Sequence, residues 1–333
     1  MTNKILVTGA SGFIGSFIVE EALKRGMEVW AAVRATSSRR YLSDKRINFI
    51  ELDLDSEPTL RKQLEGREFD YVVHAAGVTK CLDKADFKRV NTTGTRNLVE
   101  ALLSLHMPIR RFVYLSSLSV YGAIHEDMPY QDISEHDFPR PNTAYGKSKL
   151  EAERYLDSIG NDFPYIILRP TGVYGPRERD YFLMAKSIAQ HIDFAVGYTR
   201  QDITFVYVLD VVQAVFLALD RGMSGRKYFL TDGEVYQSSD FSRLLKENMG
   251  TGWVMRITAP VWLLKAVTFA GERISRLTHK PTALNDDKYN ILRQRNWRCD
   301  IEPAVDELGY HPHYKLAEGV RATVEWYKEN KWL

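Results

Sequence analysis

A glycine-rich turn between a buried strand and a helix opens this chain. Residues 4–8, KILVT, have the composition of a buried strand, and the run after GASGFIG has the apolar spacing of a helix. Gly9, Gly12 and Gly15 therefore lie at a strand-to-helix turn. Such a turn lets the backbone approach a pyrophosphate, and the helix N-terminus offers free N–H groups and a positive dipole end. This feature predicts a nucleotide-binding chain.

Strands alternate with helical patterns through the first half of the chain. Further apolar stretches read as strands at 28–33, 47–52, 70–75, 111–116 and 164–169. The alternation predicts an α/β fold with a doubly wound parallel sheet and helices on both faces. Ligands bind such sheets beyond the carboxyl ends of the strands. The residues there are Gly9–Gly15, Arg34, Asp53, Ala75–Gly77, Ser116–Ser117 and Pro170–Gly172.

Composition excludes several classes of function. A formal charge of +2 over 333 residues, without a basic stripe, argues against a nucleic-acid partner. Cys81 and Cys299 have no metal-ligand neighbours, so no metal site is predicted. The N-terminus lacks the apolar core of a signal peptide, which indicates a cytoplasmic location. The longest apolar stretch, 259–271, contains a lysine and is too short to span a bilayer.

Tyr145 and Lys149, in the stretch TAYGKSKLEAERYL, are a tyrosine and a lysine four residues apart. The same spacing occurs from Tyr41 and from Tyr327, but only Tyr145 opens a helix shortly after a strand that ends in serines. The other two pairs are therefore interpreted as coincidences on the surface. On a helix, residues four apart share a face, so the ammonium of Lys149 is expected to lower the pKa of the Tyr145 phenol.

Seven motifs contain these features and follow one another in a fixed order. They are GASGFIG, ELDLD, HAAGVT, VNTTGTRNLVEA, LSSLSVYG, YGKSK and LRPTGVYGPR. In this order they resemble the signature of the extended short-chain dehydrogenase/reductase superfamily, also called the NAD-dependent epimerase/dehydratase family. The resemblance covers essentially the whole chain. It implies a Rossmann domain over 1–175, completed by about 201–232, and a smaller C-terminal substrate-binding lobe from 176–200 and 233–333. It also implies a homodimer that pairs parts of 84–106 and 146–158.

The resemblance also implies the site residues. Tyr145 would be the catalytic acid or base, Lys149 would hold the nicotinamide ribose, and Ser117 would bond the substrate oxygen, with Ser116 and Ser119 as neighbouring candidates. Asn91 and Asp210 match family positions too, although Asp210 is alternatively the N-cap of its helix. The implied cofactor-binding residues are Gly9, Ser11, Gly12, Phe13, Ile14, Gly15, Arg34, Asp53, Leu54, Ala75, Ala76, Gly77, Tyr145, Lys149, Pro170, Gly172 and Val173.

The end of the second strand bears on the choice of cofactor. An acidic residue about 20 residues after the glycines would bind the ribose 2′-hydroxyl of NAD. This chain has VRATSSRR there instead. Arg34, with Ser37, Ser38, Arg39 and Arg40 close behind, can bind a 2′-phosphate through charge-assisted hydrogen bonds. NADP is therefore predicted as the cofactor, and NAD is the alternative.

Departures from the motifs of relatives argue against some reactions of the family. Family 4,6-dehydratases carry an Asp–Glu pair where this chain has Leu118 and Ser119, so dehydration is not expected. Nucleotide-sugar epimerases usually hold the substrate diphosphate with an Asn and an Arg, and this chain has Gly172 and Ile203 at those places.

Other residues keep the epimerase open as an alternative. Arg177 and Arg200 lie nearby in the sequence and could replace the missing diphosphate partners. A non-enzymatic nucleotide sensor on the same fold is a third alternative. The presence of Ser117, Tyr145 and Lys149 argues against the sensor, which would be expected to have lost them.

Residues 255–277, MRITAPVWLLKAVTFAGERISRL, place apolar residues among basic ones. This pattern suits a lid over an apolar substrate or a helix at the inner face of a membrane, and an ordinary packed helix is the alternative. The region resembles the sterol-dehydrogenase, ketosphinganine/ceramide-reductase and dihydroflavonol-reductase side of the family. The predicted function is an NAD(P)-dependent oxidoreductase that interconverts a ketone and a secondary alcohol on an apolar, lipid-like substrate. The alternative is a nucleotide-sugar epimerase.

Overall fold

The computed structural model describes residues 2–81, 83–266, 268 and 286–333. Its strands within these residues are β1 (Lys4–Thr8), β2 (Glu28–Val33), β3 (Asn48–Glu51), β4 (Tyr71–His74), β5 (Arg111–Leu115), β6 (Tyr165–Pro170), β7 (Gly172–Tyr174), β8 (Ile192–Val196), β9 (Asp202–Ile203), β10 (Phe205–Tyr207), β11 (Lys227–Leu230), β12 (Tyr236–Gln237) and β13 (Met255–Ala259).

Seven of the described strands form one parallel sheet in the order β11-β6-β5-β4-β1-β2-β3. The strands predicted from the sequence are confirmed as β1 to β6, with bounds that differ by at most one residue at either end. The edge strand β11 was not predicted. Strand order reverses between β1 and β4, and this reversal opens a crevice at the carboxyl ends of those two strands, where ligands of open α/β sheets bind.

Helices cover both faces of this sheet. The described helices are α1 (Phe13–Lys24), α2 (Glu57–Leu64), α3 (Lys84–Phe87), α4 (Gly94–Ser104), α5 (Ala144–Ile159), α6 (Asp180–Ala189), α7 (Val208–Arg221), α8 (Asp240–Met249), α9 (Asp286–Arg293) and α10 (Leu316–Glu329). Apolar side chains of α1 and α7 pack on one face of the sheet, and those of α2, α4 and α5 pack on the other. The doubly wound Rossmann fold is therefore confirmed.

A separate apolar cluster lies in the C-terminal part of the chain. It joins side chains of α6, α8 and α10 to those of β7 and β10. Tyr327 belongs to this cluster and is fully buried, so the expectation that it lies on the surface is wrong. The apolar period of α10 explains the difference, because Tyr327 continues the buried row of Val320 and Val324.

Asp210 fixes the C-terminal segment to α7. The helix begins at Val208 with Tyr207 as its N-cap, so the interpretation of Asp210 as the N-cap is wrong. The Asp210 carboxylate instead accepts hydrogen bonds from the backbone N–H groups of His313 (2.8 Å) and Tyr314 (3.1 Å). A carboxylate in the first helical turn is also favoured by the helix dipole.

Residues 255–277 do not begin as a helix. Met255–Ala259 form strand β13, which pairs in parallel with β8, and helical backbone follows at 261–266. The expectation of a helix over the whole stretch is therefore wrong for its first part, and 267 and 269–277 lie outside the described residues. In the described part of the chain, no helix combines the length and the apolar composition needed to cross a bilayer.

Candidate active site

The glycine-rich turn leaves no room for side chains. Gly9 has φ +67°, and a Cβ there would stand 2.6 Å from the carbonyl carbon of Ala75. A Cβ on Gly15 would stand 2.1 Å from the carbonyl oxygen of Gly9. The N–H of Gly12 donates to the same oxygen at 2.9 Å. Only glycine permits this close contact of β1, the start of α1 and the loop after β4.

A cleft of about 460 Å³ opens beside this turn, at the ends of β1 to β4. Predicted cofactor residues that line it are Gly9, Ser11, Gly12, Arg34, Asp53, Leu54, Ala75, Ala76 and Gly77. Its size and its glycine-lined floor fit an extended nucleotide with a pyrophosphate near the first turn of α1.

The other predicted cofactor residues lie around this cleft without lining it. Phe13 and Ile14 begin α1 and pack toward the C-terminal cluster, while Gly15 packs against the turn itself. Pro170 ends β6, and Gly172 and Val173 belong to β7, which pairs with β10. Their contact with the cofactor stays a prediction.

Arg34 follows β2 directly and is exposed at the cleft. Its backbone N–H donates a hydrogen bond to the Ser37 hydroxyl at 2.9 Å. Among the described residues, no carboxylate pairs with the Arg34 guanidinium. Arg39 is engaged differently, because its guanidinium lies 4.3 Å from the centre of the Phe49 ring. Arg34 is thus the basic side chain of this loop that lines the cleft without a partner of its own.

Helix α5 presents Tyr145 and Lys149 on one side. Lys149 is buried, and its Nζ donates to the backbone oxygen of Leu115 at 2.8 Å, at the end of β5. A Cβ built on Gly77 would stand 3.2 Å from the same Nζ. Lys149, on the same helix as Tyr145, therefore adjoins the loop that lines the cleft.

Burial controls the protonation of this pair. It raises the pKa of Tyr145 to about 12, and a hydrogen bond with Ser117 opposes the rise. Burial also lowers the pKa of Lys149 to about 8, against the attraction of Glu153. The expected lowering of the tyrosine pKa by Lys149 is therefore wrong for the protein alone. The physical reason is that desolvation of the phenol dominates and that the ammonium is directed at a backbone carbonyl.

The three candidate serines have different partners. Ser117 contacts the Tyr145 phenol and caps a short 3-10 turn, where its hydroxyl accepts from the N–H of Ser119 at 3.1 Å. Ser116 is buried and donates to Glu153 at 2.5 Å. Ser117 is therefore the candidate that the structure places beside Tyr145.

A buried ion pair supports this site and was missed by the sequence analysis. Arg169, at the end of β6, donates to both carboxylate oxygens of Glu153, at 3.1 and 2.6 Å, and to the Tyr121 hydroxyl at 3.0 Å. Glu153 lies one turn after Lys149 on α5. The spacing of four between Lys149 and Glu153 was the available signal.

Asn91 holds the loop after β4 against α5. It lies in a π-helical turn, Lys88–Thr93, and its amide bonds both backbone groups of Val78, at 2.8 and 3.0 Å. The same amide donates to the Ser148 hydroxyl at 3.0 Å. This arrangement fixes the distance between the cofactor cleft and the catalytic helix.

His74, at the end of β4, is a second buried group that the sequence analysis missed. Its ring nitrogens bond the hydroxyls of Thr8 (2.7 Å) and Thr95 (2.9 Å). Burial, with a smaller contribution from Lys149, lowers the pKa of His74 to about 3. The imidazole is therefore neutral and braces the floor of the cleft. Across the described ranges, no group of histidine, cysteine and acidic side chains could hold a metal ion.

The N-terminus of α5 is closed by a residue from the far end of the chain. Asp287, on α9, accepts from the backbone N–H groups of Ala144 (3.0 Å) and Tyr145 (3.2 Å). Thr143 accepts from the N–H of Gly146 at 2.9 Å. All three free donors of the first turn are therefore satisfied, two of them by the C-terminal part of the chain.

Known proteins share this fold and these motifs. The model of the NAD dependent epimerase/dehydratase family matches residues 5–231. A dTDP-glucose 4,6-dehydratase of Streptomyces antibioticus is 27% identical over 352 residues, which covers 98% of this chain and 93% of the relative. A decarboxylating sterol-4-alpha-carboxylate 3-dehydrogenase of Schizosaccharomyces pombe is 26% identical over 348 residues, covering 99% and 98%.

A solved structure supports the fold independently. The crystal structure of DesIV, a dTDP-glucose 4,6-dehydratase from Streptomyces venezuelae with NAD bound, matches with a TM-score of 0.80 at 22% identity, covering 99% of this chain and 98% of that one. Because the family match spans more than half of the chain, the chain belongs to the NAD-dependent epimerase/dehydratase family, whose members are enzymes of the extended short-chain dehydrogenase/reductase type that depend on NAD or NADP.

Proposed function

We propose that this enzyme interconverts a ketone and a secondary alcohol on an apolar, lipid-like substrate, with NADP as the cofactor. The observation that carries the proposal is the buried Lys149, on the same helix as Tyr145, which bonds the end of β5 and adjoins the cofactor cleft. We also propose that 1–175, completed by about 201–232, binds the cofactor. Residues 176–200 and 233–333 then bind the substrate.

The catalytic roles follow from the protonation states. Tyr145 is protonated at neutral pH because its pKa is raised to about 12. In the reducing direction it donates this proton to the carbonyl oxygen, and Ser117 donates a hydrogen bond to the same atom. In the oxidising direction Tyr145 accepts the alcohol proton. When bound, the cofactor supplies or accepts the hydride, and the positive charge of its oxidised ring favours the phenolate.

Different residues of the cleft would hold different parts of the cofactor. Gly9, Gly12 and the free N–H groups of α1 would hold the pyrophosphate. Lys149 would donate to the nicotinamide ribose, and Asp53 would bind the adenine. Arg34 would bond the 2′-phosphate, a role supported by its exposure at the cleft and by the lack of a carboxylate at the end of β2.

Aromatic side chains beside Gly172 support the proposal that the substrate is apolar. Gly172 stands where relatives carry an Asn for the diphosphate, and a Cβ there would meet the Tyr181 hydroxyl at 2.6 Å and the Phe205 ring at 3.3 Å. Tyr181 stacks on Phe241 with ring centres 4.6 Å apart. Ile203 packs with the same cluster. Space that would receive an Asn side chain is thus filled by rings.

The arginines that could serve a nucleotide sugar have other partners. Arg177 donates to Ser16 (2.9 Å) and Glu20 (2.6 Å) and stacks on Phe17. Arg200 donates to the buried Asp202 at 2.8 Å. Each would have to leave a hydrogen-bonded partner to reach a diphosphate, which costs roughly 1.5–3 kcal/mol per charged bond. These contacts weaken the epimerase alternative.

A nucleotide-sugar epimerase remains the second candidate because Vibrio cholerae UDP-glucose 4-epimerase is 25% identical over 98% of the chain. The site does not support dehydration, because Leu118 is buried and Ser119 has no carboxyl group. A screen decides between the candidates. NADPH and NADH oxidation is followed with long-chain ketones. Epimerisation of UDP- and dTDP-sugars consumes no cofactor and is followed separately by analysis of the sugar products. Turnover with ketones alone is expected, and epimerised sugar without ketone turnover would overturn the proposal.

A further inference from the structure

Exposed apolar side chains concentrate on one part of the molecule. Half of the large apolar side chains that are exposed in the described residues belong to β8, β13 and the segments next to them. We call this set the β8–β13 face, and its members are Phe194, Tyr198, Trp253, Met255, Ile257, Trp262 and Leu263. Phe194 is 64% exposed and Trp262 is 72% exposed. A single exposed apolar residue is ordinary, but a contiguous group of rings marks an interaction site.

Strand register explains why these side chains share one face. In the parallel pair, Met255 lies opposite Ile192 and Ile257 lies opposite Phe194. Side chains alternate along a strand, so these four point to the same side of the sheet. The polar pair between them, Asp193 and Arg256, points to the other side.

The polar side of this small sheet makes its hydrogen bond and its ion pair within the protein. Asp193 accepts from the Ser242 hydroxyl of α8 at 3.1 Å and pairs with Arg256 at 3.4 Å. The sheet is therefore anchored by its polar side, and its apolar side faces outward. Turning the apolar side inward would separate Asp193 from Ser242, so the contact with α8 favours the outward orientation of the apolar side.

Charge points to the kind of partner. The sequence from 250 to 271 contains no acidic residue, and Lys265 is its basic residue beside the β8–β13 face, since Arg256 pairs with Asp193 on the other side of the sheet. Lys265 is exposed next to Trp262 and Leu263. Tryptophan and tyrosine side chains favour the boundary between lipid head groups and acyl chains, and exposed lysines beside them favour anionic lipid.

We propose that the β8–β13 face docks on the surface of an anionic lipid bilayer. The inference deepens the proposed function and rests on it in one respect, because a lipid-like substrate would then reach the site from the bilayer. A second copy of the chain fits the face less well. Docking on a second copy would bring Lys265 against a face whose segment 250–271 contains no acidic residue to pair with it.

Vesicle co-sedimentation tests this inference without cofactor or substrate. The full chain is mixed with phosphatidylcholine vesicles that contain or lack phosphatidylserine. Binding to the anionic vesicles is expected, with at least about tenfold weaker binding to the neutral ones and a decline with salt. Trp262→Ser and Phe194→Ser are each expected to weaken binding by about tenfold or more, since each removes a large apolar side chain from the contact.

Phe138→Ser is the matched control, because Phe138 is 81% exposed and lies outside the β8–β13 face. It should bind vesicles like the unmodified protein. If the protein bound neither kind of vesicle, or if Phe138→Ser and Trp262→Ser weakened binding equally, the inference would be overturned. So would light scattering in which Trp262→Ser turns a dimer into a monomer, since a second copy would then cover the face. Vesicle binding without ketone turnover would overturn only the proposed function.

Discussion

At the scale of single residues, the site has the lysine near the tyrosine, as the motif implies, but not the lowered pKa of the tyrosine. The YxxxK spacing predicts a lysine near the tyrosine, and Lys149 is indeed on the same side of α5. Its ammonium nevertheless bonds the Leu115 carbonyl, and burial raises rather than lowers the pKa of Tyr145. The protein alone therefore stabilises the protonated phenol, which is the form that the proposed ketone reduction needs as its proton donor.

The proposed role of Lys149 predicts that cofactor binding depends on pH. Burial lowers its pKa to about 8, so the ammonium proposed to hold the ribose is present below this pH and is lost as pH rises through it. The dissociation constant for NADPH, measured by fluorescence titration, is expected to rise between about pH 7 and pH 9. Lys149→Met should bind more weakly and remove the dependence. A flat profile in the unmodified protein would contradict this role.

In the proposed function, Arg34 sets the preference between NADP and NAD. Its replacement in Arg34→Asp removes the proposed phosphate contact and adds a repulsive charge. NADPH affinity is expected to fall by about thirtyfold, which corresponds to about 2 kcal/mol, while NADH affinity holds or improves. Isothermal titration with both cofactors measures the change. Arg39→Ala is the matched control, because Arg39 stacks on Phe49 and should leave the ratio unchanged. Equal affinities for both cofactors in the unmodified protein would contradict the assignment.

At the scale of elements, the N-terminus of α5 depends on α9. Asp287→Ala removes the acceptors of two backbone N–H groups, one of them that of Tyr145. Loss of a helix cap costs about 1 kcal/mol, and displacement of the tyrosine should lower kcat by about tenfold or more with little change in cofactor affinity. Thermal unfolding and steady-state kinetics measure the two effects.

Ser56→Ala provides the control for the helix cap. Ser56 caps α2 by accepting from the N–H of Thr59, and α2 does not carry a catalytic residue. A similar loss of stability with unchanged kcat is expected. If Asp287→Ala and Ser56→Ala lowered kcat equally, Asp287 would have no particular part in positioning Tyr145.

Sequence patterns predicted the elements whose signal is local. Apolar strands and the glycine turn were found because residues within a few positions determine them. The cap at Asp287 could not be found in this way, since it lies 142 residues from Tyr145. Strand β13 was predicted as helix because its five residues were considered together with the apolar run that follows them. The burial of Tyr327 had a local signal, since Tyr327 continues the apolar row of Val320 and Val324 on α10.

At the scale of the whole molecule, the proposed homodimer would have a charged interface. Helices α4 and α5 carry paired charges on their outer sides, such as Lys88 with Glu151 at 3.3 Å and Arg96 with Glu100 at 2.7 Å. In the described residues, none of the exposed large apolar side chains lies within 84–106 or 146–158. A dimer through these helices should therefore weaken with salt. Light scattering at low and high salt tests this, and a monomer at micromolar concentration in low salt would count against the dimer.

The most direct test of the central claim is the turnover of Tyr145→Phe with NADPH and a ketone accepted by the unmodified enzyme. The account predicts that kcat falls by about 10²–10⁴-fold while NADPH affinity stays nearly intact, because the phenol acts mainly in the transition state. Tyr41→Phe, from a chance pair, should stay within about a factor of two. If Tyr145→Phe kept more than about a tenth of the activity, the loss would be smaller than general acid catalysis allows, and Tyr145 would not be the catalytic acid.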